Sequence, residues 1–265
     1  MDKKKQLSVE EVKVTSLEIL KDVSAFCDAH QIRYYLACGT LLGAVKYQGF
    51  IPWDDDIDIM MPRPDFNRFI ASYDTEKYGV LKPSDGMYFY GKVYDRKTVE
   101  IETGIDYRKY DPIGVNIDVF PLDGIVNDLQ TVERKKKISS ILETLLRLSN
   151  QPVFYRKNRL KAINRIIPRI IGSRNLVRLI ERNATQYDYE KSDYVIRYKN
   201  TWNGFTCALS KKIYEKTVDL PFEGFRFHAP AGYDEWLKSF YGSDYMIITP
   251  SSEERRNHQR KDYYL

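Results

Sequence analysis

Four aspartates, Asp54, Asp55, Asp56 and Asp58, sit among the apolar residues Trp53, Ile57, Ile59, Met60 and Met61. In an extended chain alternate side chains share a face, so Asp56 and Asp58 project together while Ile57 and Ile59 turn to the core. Two carboxylates aimed at one point repel unless a cation lies between them. Oxygen donors select a hard ion, Mg²⁺ first and Mn²⁺ second. A solvated acidic loop is the plainer reading, but Asp is depleted in strands and the interleaved apolar residues argue against it. The spacing also starts like a calcium loop of the EF-hand kind; it then fails, because Ile59 stands where Gly is required and Asp65 where Glu is.

The elements around this run would bring further groups to it. Ile32 to Ala37 reads as a strand stopped at Gly39-Thr40, with a short helix opening at Leu41. A strand, a glycine turn and a helix N-terminus expose backbone N–H groups, which suits a phosphate. In Gly114 to Gly124, Val115, Ile117 and Val119 alternate with Asn116 and Asp118, so Asp118 faces the same way as Asn116 and could complete a carboxylate triad.

The rest of the chain reads as supporting structure. Ser8-Val9-Glu10-Glu11 is a capping box, with Leu7 and Val12 as its hydrophobic staple, and a first helix runs to about residue 29. Arg63 to Tyr73 has helical spacing. Tyr88 to Tyr94 and Thr98 to Ile101 are expected to pair as a β-hairpin turning at Asp95-Arg96-Lys97. From Gln130 to about Gln186 the pattern is helical, interrupted at Pro152, Pro168 and Gly172. Mixed structure follows, with a turn at Asn203-Gly204, a Phe222 to Phe227 segment and a helix near Tyr233 to Phe240.

Composition sets bounds. The 265 residues suffice for one large or two small domains. No apolar run approaches the roughly 18 residues that cross a bilayer. The three cysteines, Cys27, Cys38 and Cys207, are scattered, which argues against both a disulfide framework and a zinc knuckle. The N-terminus lacks the apolar stretch of a signal peptide, so the expected location is the cytoplasm. The net charge of +5 conceals an asymmetry: residues 131–182 hold fourteen Lys and Arg against three Glu. Solvated helix faces explain such charge, as does a phosphate-rich partner.

The segments Gly39 to Ala44, Gly49 to Asp58 and Ile117 to Gly124, with Tyr233 to Leu237, Tyr241 to Met246 and Thr249-Pro250, resemble the LicD family. That resemblance implies an α+β mixed sheet with a nucleotidyltransferase-like core, here carrying a helical, basic insertion. The expected divisions are residues 1–129 as catalytic core, 130–190 as basic helical region and 191–265 as a segment packing on the core. By the motif match, Asp56 and Asp58 correspond to the metal-binding pair, Asp118 to the third carboxylate, and Gly39 and Thr40 to the turn beside the donor phosphates; Asp54 matches a further acidic position. The resemblance also implies a CDP-linked donor. The expected reaction is attack by a glycan hydroxyl on the phosphorus nearer choline, releasing CMP.

Lys46 and Lys92 are the candidate cations for the donor phosphates. Choline would require an aromatic box, for which the 21 Tyr and 3 Trp offer many residues. Trp53 is expected to pack beneath the acidic run, with Trp202 and Trp236 as open candidates; His30 and His228 are expected to be structural, and His258 lies in a polar tail. The acceptor is expected to be a precursor of teichoic acid, capsule or lipooligosaccharide, with residues 131–182 offering contact to the inner membrane face. Nucleotidyl transfer to a small hydroxyl acceptor and an inactive nucleotide-binding scaffold are the competing readings. A nucleic-acid partner is not expected, since no reading module is present.

Overall fold

The computed structural model describes residues 6–153, 163–198, 208–247 and 262–264. Its centre is a mixed sheet. Strands β1 (Tyr35–Leu36), β2 (Asp58–Pro62), β6 (Asn116–Ile125), β4 (Gly91–Asp95) and β3 (Tyr78–Leu81) lie side by side in that order. Only β2 and β6 run parallel; the other neighbours are antiparallel. The far end of β6, Asp123 to Ile125, pairs with β7 (Tyr194–Ile196), which in turn pairs with β8 (Leu209–Ser210). The chain is an α+β fold, as the sequence leads one to expect.

Helix α1 (Val9–Ala29) starts where the capping box places it. The Ser8 hydroxyl accepts from Glu11 N–H at 3.2 Å, and the Glu11 carboxylate accepts from Ser8 N–H at 2.8 Å. Its stripe of Val12, Ile19, Leu20, Val23 and Cys27 is buried, and Leu7 and Val12 meet Val115 in one small cluster. Helix α3 (Arg63–Ser72) is tied to β6 by a bidentate ion pair: Arg63 donates to both Asp123 oxygens at 2.6 and 2.8 Å.

The basic block folds as three helices: α4 (Leu129–Asn150), α5 (Ile163–Ile171) and α6 (Ser173–Ala184). Gly172, at φ +85°, breaks α5 from α6. Pro168 does not interrupt; it is carried inside α5, at the loss of one backbone donor.

After β8, strands β9 (Thr217–Phe222) and β10 (Phe225–Pro230) form a hairpin. Its two turn residues, Glu223 at φ +51° and Gly224 at φ +80°, are the left-handed pair that suits the twist of a two-residue hairpin. The hairpin tip holds the loop leading to the acidic run: Glu223 N–H donates to Gln48 O, and Phe50 N–H donates to the Glu223 carboxylate, both at 2.9 Å. Phe222, Phe227, Trp236 and Leu237 share one hydrophobic core with Ile19, Leu36, Ile59, Val93 and Val119. Elements from both ends of the chain therefore build the support of the same sheet.

One expected pairing is overturned. Strands β4 and β5 (Thr98–Glu100) do not form a hairpin with one another. Both edges of β4 are already taken, by β3 and β6, so β5 pairs instead with β11 (Asp262–Tyr264). The expected turn at Asn203-Gly204, Trp202 and His258 lie outside the described residues.

Candidate active site

A row of three charged residues crosses three adjacent strands. Asp58 on β2 is the register partner of Asp118 on β6, and Asp118 is the register partner of Lys92 on β4. Neighbouring strands lie about 4.8 Å apart and register partners point to the same face. Two carboxylates and an ammonium are thus set side by side by the sheet itself.

The backbone of Asp58 is clamped. Its N–H donates to the Thr40 hydroxyl at 2.8 Å, and its carbonyl accepts from Ala37 N–H at 3.0 Å. Helix α2 (Cys38–Tyr47) begins at Cys38, which places Gly39 and Thr40 in its first turn and not ahead of it. Cys38 itself sits at φ +47°, a left-handed conformation that a side chain rarely adopts. Gly39 meets the acidic run directly, because a Cβ there would stand 2.4 Å from Asp54 Oδ2. The pattern glycine, then threonine, is explained by these two contacts: one residue must be small for Asp54, and the next must hold Asp58.

The acidic run precedes β2; only Asp58 belongs to the strand. The alternation nevertheless holds, since Asp54, Asp56 and Asp58 are partly exposed while Asp55, Ile57 and Ile59 are buried. Burial and crowding act together on this carboxyl. Burial first, then the charge of Asp56 and a hydrogen bond to it, push the Asp54 carboxyl up to about 9. The donor set is all oxygen, the chemistry that hard divalent cations select. Among the described residues no three His, Cys, Asp or Glu side chains are already closed around one point.

Lys92 lies at the centre of a buried network. It is 3% exposed, and its Nζ is 2.7 Å from Asp118 Oδ1 and 2.9 Å from Asn116 Oδ1. Asn116 in turn donates to Glu100 Oε2 at 2.9 Å, and Glu102 Oε1 stands 3.9 Å from the ammonium. The lysine considered for donor phosphates is therefore the countercharge of the third carboxylate. Lys46, at the last turn of α2, is half-buried with its Nζ 5.3 Å from the Tyr47 ring.

Two residues of the site were not singled out in the sequence. Tyr241 ends α7 (Tyr233–Tyr241), and its phenol is pushed well above the ordinary range by burial, with Cys38, Asp58 and Asp54 adding to the effect. Arg197, just after β7, is 8% exposed and is held between the rings of Phe120 at 4.9 Å and Phe240 at 5.2 Å. A basic residue ending the apolar Tyr194-Val195-Ile196 strand was the available signal. Trp236 is buried and stacked on Phe240, while Trp53 meets Tyr47 edge-on beside the run. His30 stacks on Phe26 and His228 on Tyr34.

Residues 31–152 match the family described as LicD/FKTN/FKRP, nucleotidyltransferase domain. The chain is 27% identical to the lipopolysaccharide cholinephosphotransferase LicD of Haemophilus influenzae over 271 residues, covering 98% of this chain and all of that one. Uncharacterized proteins of Rickettsia typhi and Rickettsia prowazekii match over shorter segments, at 45% identity across 56 residues and 48% across 42. These segments cover 18% and 16% of the Rickettsia proteins and 21% and 16% of this chain. The matched span contains α2, the acidic run and the whole Asp58–Asp118–Lys92 row, so the likeness to the LicD-family domain falls on the residues that form the site.

Proposed function

We propose that the protein transfers phosphocholine from CDP-choline to a hydroxyl of a cell-surface glycan precursor. The observation that carries this reading is the Asp58–Asp118–Lys92 row, set within a chain that aligns end to end with a cholinephosphotransferase. The acceptor oxygen forms a bond to the phosphorus nearer choline, the bond from that phosphorus to CMP breaks, and the hydroxyl proton passes to a carboxylate or to water. Asp118, facing the row, is assigned to hold the incoming hydroxyl.

Asp56, Asp58 and Asp118 are the residues proposed to hold Mg²⁺, or Mn²⁺ in its place. The chemistry of the donor set supports this: Asp58 and Asp118 are register partners on adjacent strands, and every donor is a carboxylate oxygen. A cation there would neutralise the diphosphate oxygens and the departing CMP. Gly39 and Thr40 are assigned to the donor side of the site, where Thr40 fixes Asp58. Lys46 is proposed as a donor-phosphate contact, and Lys92 as the residue that keeps Asp118 in place.

Residues 1–129 are read as the catalytic core, 130–190 as the basic helical region and 191–265 as the segment packed on the core. Among the described residues no helix is long and apolar enough to cross a membrane. The orientation of α5 supports a peripheral contact instead. Arg165 is 5% exposed, whereas Ile167 and Ile170 are 67% and 79% exposed. Exposed Arg134, Lys137, Arg174 and Arg178 on α4 and α6 add positive charge to this region. Such a surface suits an anionic bilayer carrying a lipid-linked acceptor, at the inner face of the membrane.

A panel of CDP-linked donors, incubated with Mg²⁺ and a hydroxyl acceptor, tests the reaction. CMP and a phosphocholine-bearing acceptor are expected. A nucleotidylated acceptor would establish nucleotidyl transfer in its place, and donor binding without turnover would establish a scaffold.

A further inference from the structure

Strand β4 is preceded by Tyr88-Phe89-Tyr90, and these residues line a cleft of about 480 Å³ together with Glu102 and, from α4, Glu143 and Arg147. The Tyr88 and Tyr90 ring centroids are 5.2 Å apart with planes tilted by 38°, and Phe89 meets Tyr90 edge-on at 5.3 Å. The Tyr88 hydroxyl donates to Glu102 Oε1 at 2.7 Å. The Lys92 ammonium stands 4.9 Å from the Tyr88 centroid and 5.8 Å from that of Tyr90, and it is the same atom that pairs with Asp118. The aromatic wall and the carboxylate row are therefore neighbours through one side chain.

We propose that this cleft is the subsite for the trimethylammonium head of the donor, an assignment that rests on the phosphocholine reading above. A quaternary ammonium has no N–H to donate, so it is recognised by ring faces and by negative charge without directional bonds. Tyr88 and Tyr90 supply the faces. Glu102 and Glu143 supply the charge against the exposed Arg147, while the Lys92 ammonium, 3.9 Å from Glu102, has Asp118 as its closer countercharge at 2.7 Å. Burial and the Glu102 carboxylate hold the Tyr88 phenol far above its ordinary range, so the ring remains neutral. The size fits a small-molecule pocket. A second cleft, of about 600 Å³, is lined by Asp85 and Asp111 against Lys109 and Arg174, a balanced set that offers a cation no excess of negative charge. The short arm of choline links ammonium to phosphorus, so a head bound against Tyr88 leaves the phosphorus on the Asp118 side.

Tetramethylammonium binding, followed by saturation-transfer NMR, and the kinetics of CDP-choline against CDP-ethanolamine test the assignment. Tyr88→Leu is expected to weaken tetramethylammonium binding and raise KM for CDP-choline by about five- to thirtyfold with kcat nearly unchanged. Tyr88→Phe, which keeps the ring, should retain most of the binding. Glu102→Gln should narrow the preference for CDP-choline over neutral CDP-glycerol. If Tyr88→Leu does not fold, Glu143→Gln takes its place, with a severalfold loss of ammonium binding expected. Unchanged ammonium binding and unchanged KM in the folded variants would overturn the subsite while leaving transfer intact. Ammonium binding that depends on Tyr88 in a protein unable to use CDP-choline would leave the subsite standing and remove the transferase reading.

Discussion

The Lys92 ammonium and the Asp118 carboxylate are held 2.7 Å apart as register partners on two adjacent antiparallel strands. The pair is nearly sealed, with 4% and 13% of the two side chains exposed. Removing one partner of such a pair leaves a charge without compensation and costs about 3–5 kcal/mol, whereas removing both costs less. Lys92→Met should therefore lower the urea midpoint sharply, and the Lys92→Met, Asp118→Asn double variant should recover part of the loss. A double variant whose destabilisation equals the sum of the singles would show that the two groups are not coupled.

Thr40 and Ala37 hold Asp58 by its backbone, through its N–H and its carbonyl, so an amide in place of the carboxylate leaves both contacts intact. Asp58→Asn should keep the fold and lose transfer by at least about a hundredfold. In the unmodified protein MgCl₂ at a hundred times its dissociation constant should add about 2.7 kcal/mol of stability. The variant should show little of that shift by calorimetry. A full Mg²⁺ response in Asp58→Asn would remove this aspartate from the cation site.

Asp106 predicts an acid-sensitive anchor for the helical region. Hydrogen bonds from Arg108 first, and then from Arg169 of α5 at 2.8 Å, hold its carboxyl below the usual range. A depressed carboxyl stabilises the fold above the ordinary Asp value of about 3.9, and that contribution fades as pH falls below it. Asp106→Asn should cost about 1–3 kcal/mol at neutral pH and flatten the stability profile between about pH 4 and 2. An unchanged acid limb in denaturant titrations would count against the anchor.

The inverted face of α5 gives a prediction for lipid surfaces. Ile167→Ser with Ile170→Ser should weaken sedimentation with anionic vesicles severalfold while leaving the melting temperature within a few degrees, because both residues are exposed. Raising the salt should weaken binding of the unmodified protein to anionic vesicles. Equal binding to neutral and anionic vesicles, indifferent to salt, would exclude the electrostatic part.

The sequence by itself determined the local features. Ser8 and Glu11 cap α1 because their contacts span three residues, and the alternation of Asp54, Asp56 and Asp58 with Asp55, Ile57 and Ile59 survives even outside a ladder. Spacing along the chain was enough to mark the acids and to place α3 and α7. Partners across the sheet were decided by the tertiary structure. Lys92 is far from Asp58 in sequence and two strands away in space, and nothing in its surroundings of Tyr90, Gly91 and Val93 shows that both edges of β4 are occupied. That competition for edges removed the expected β4–β5 hairpin and brought Asp118 between Asp58 and Lys92. Arg197 and Tyr241 reach the site only because β7 joins β6 and α7 packs beside α2, contacts whose closure a linear pattern does not encode.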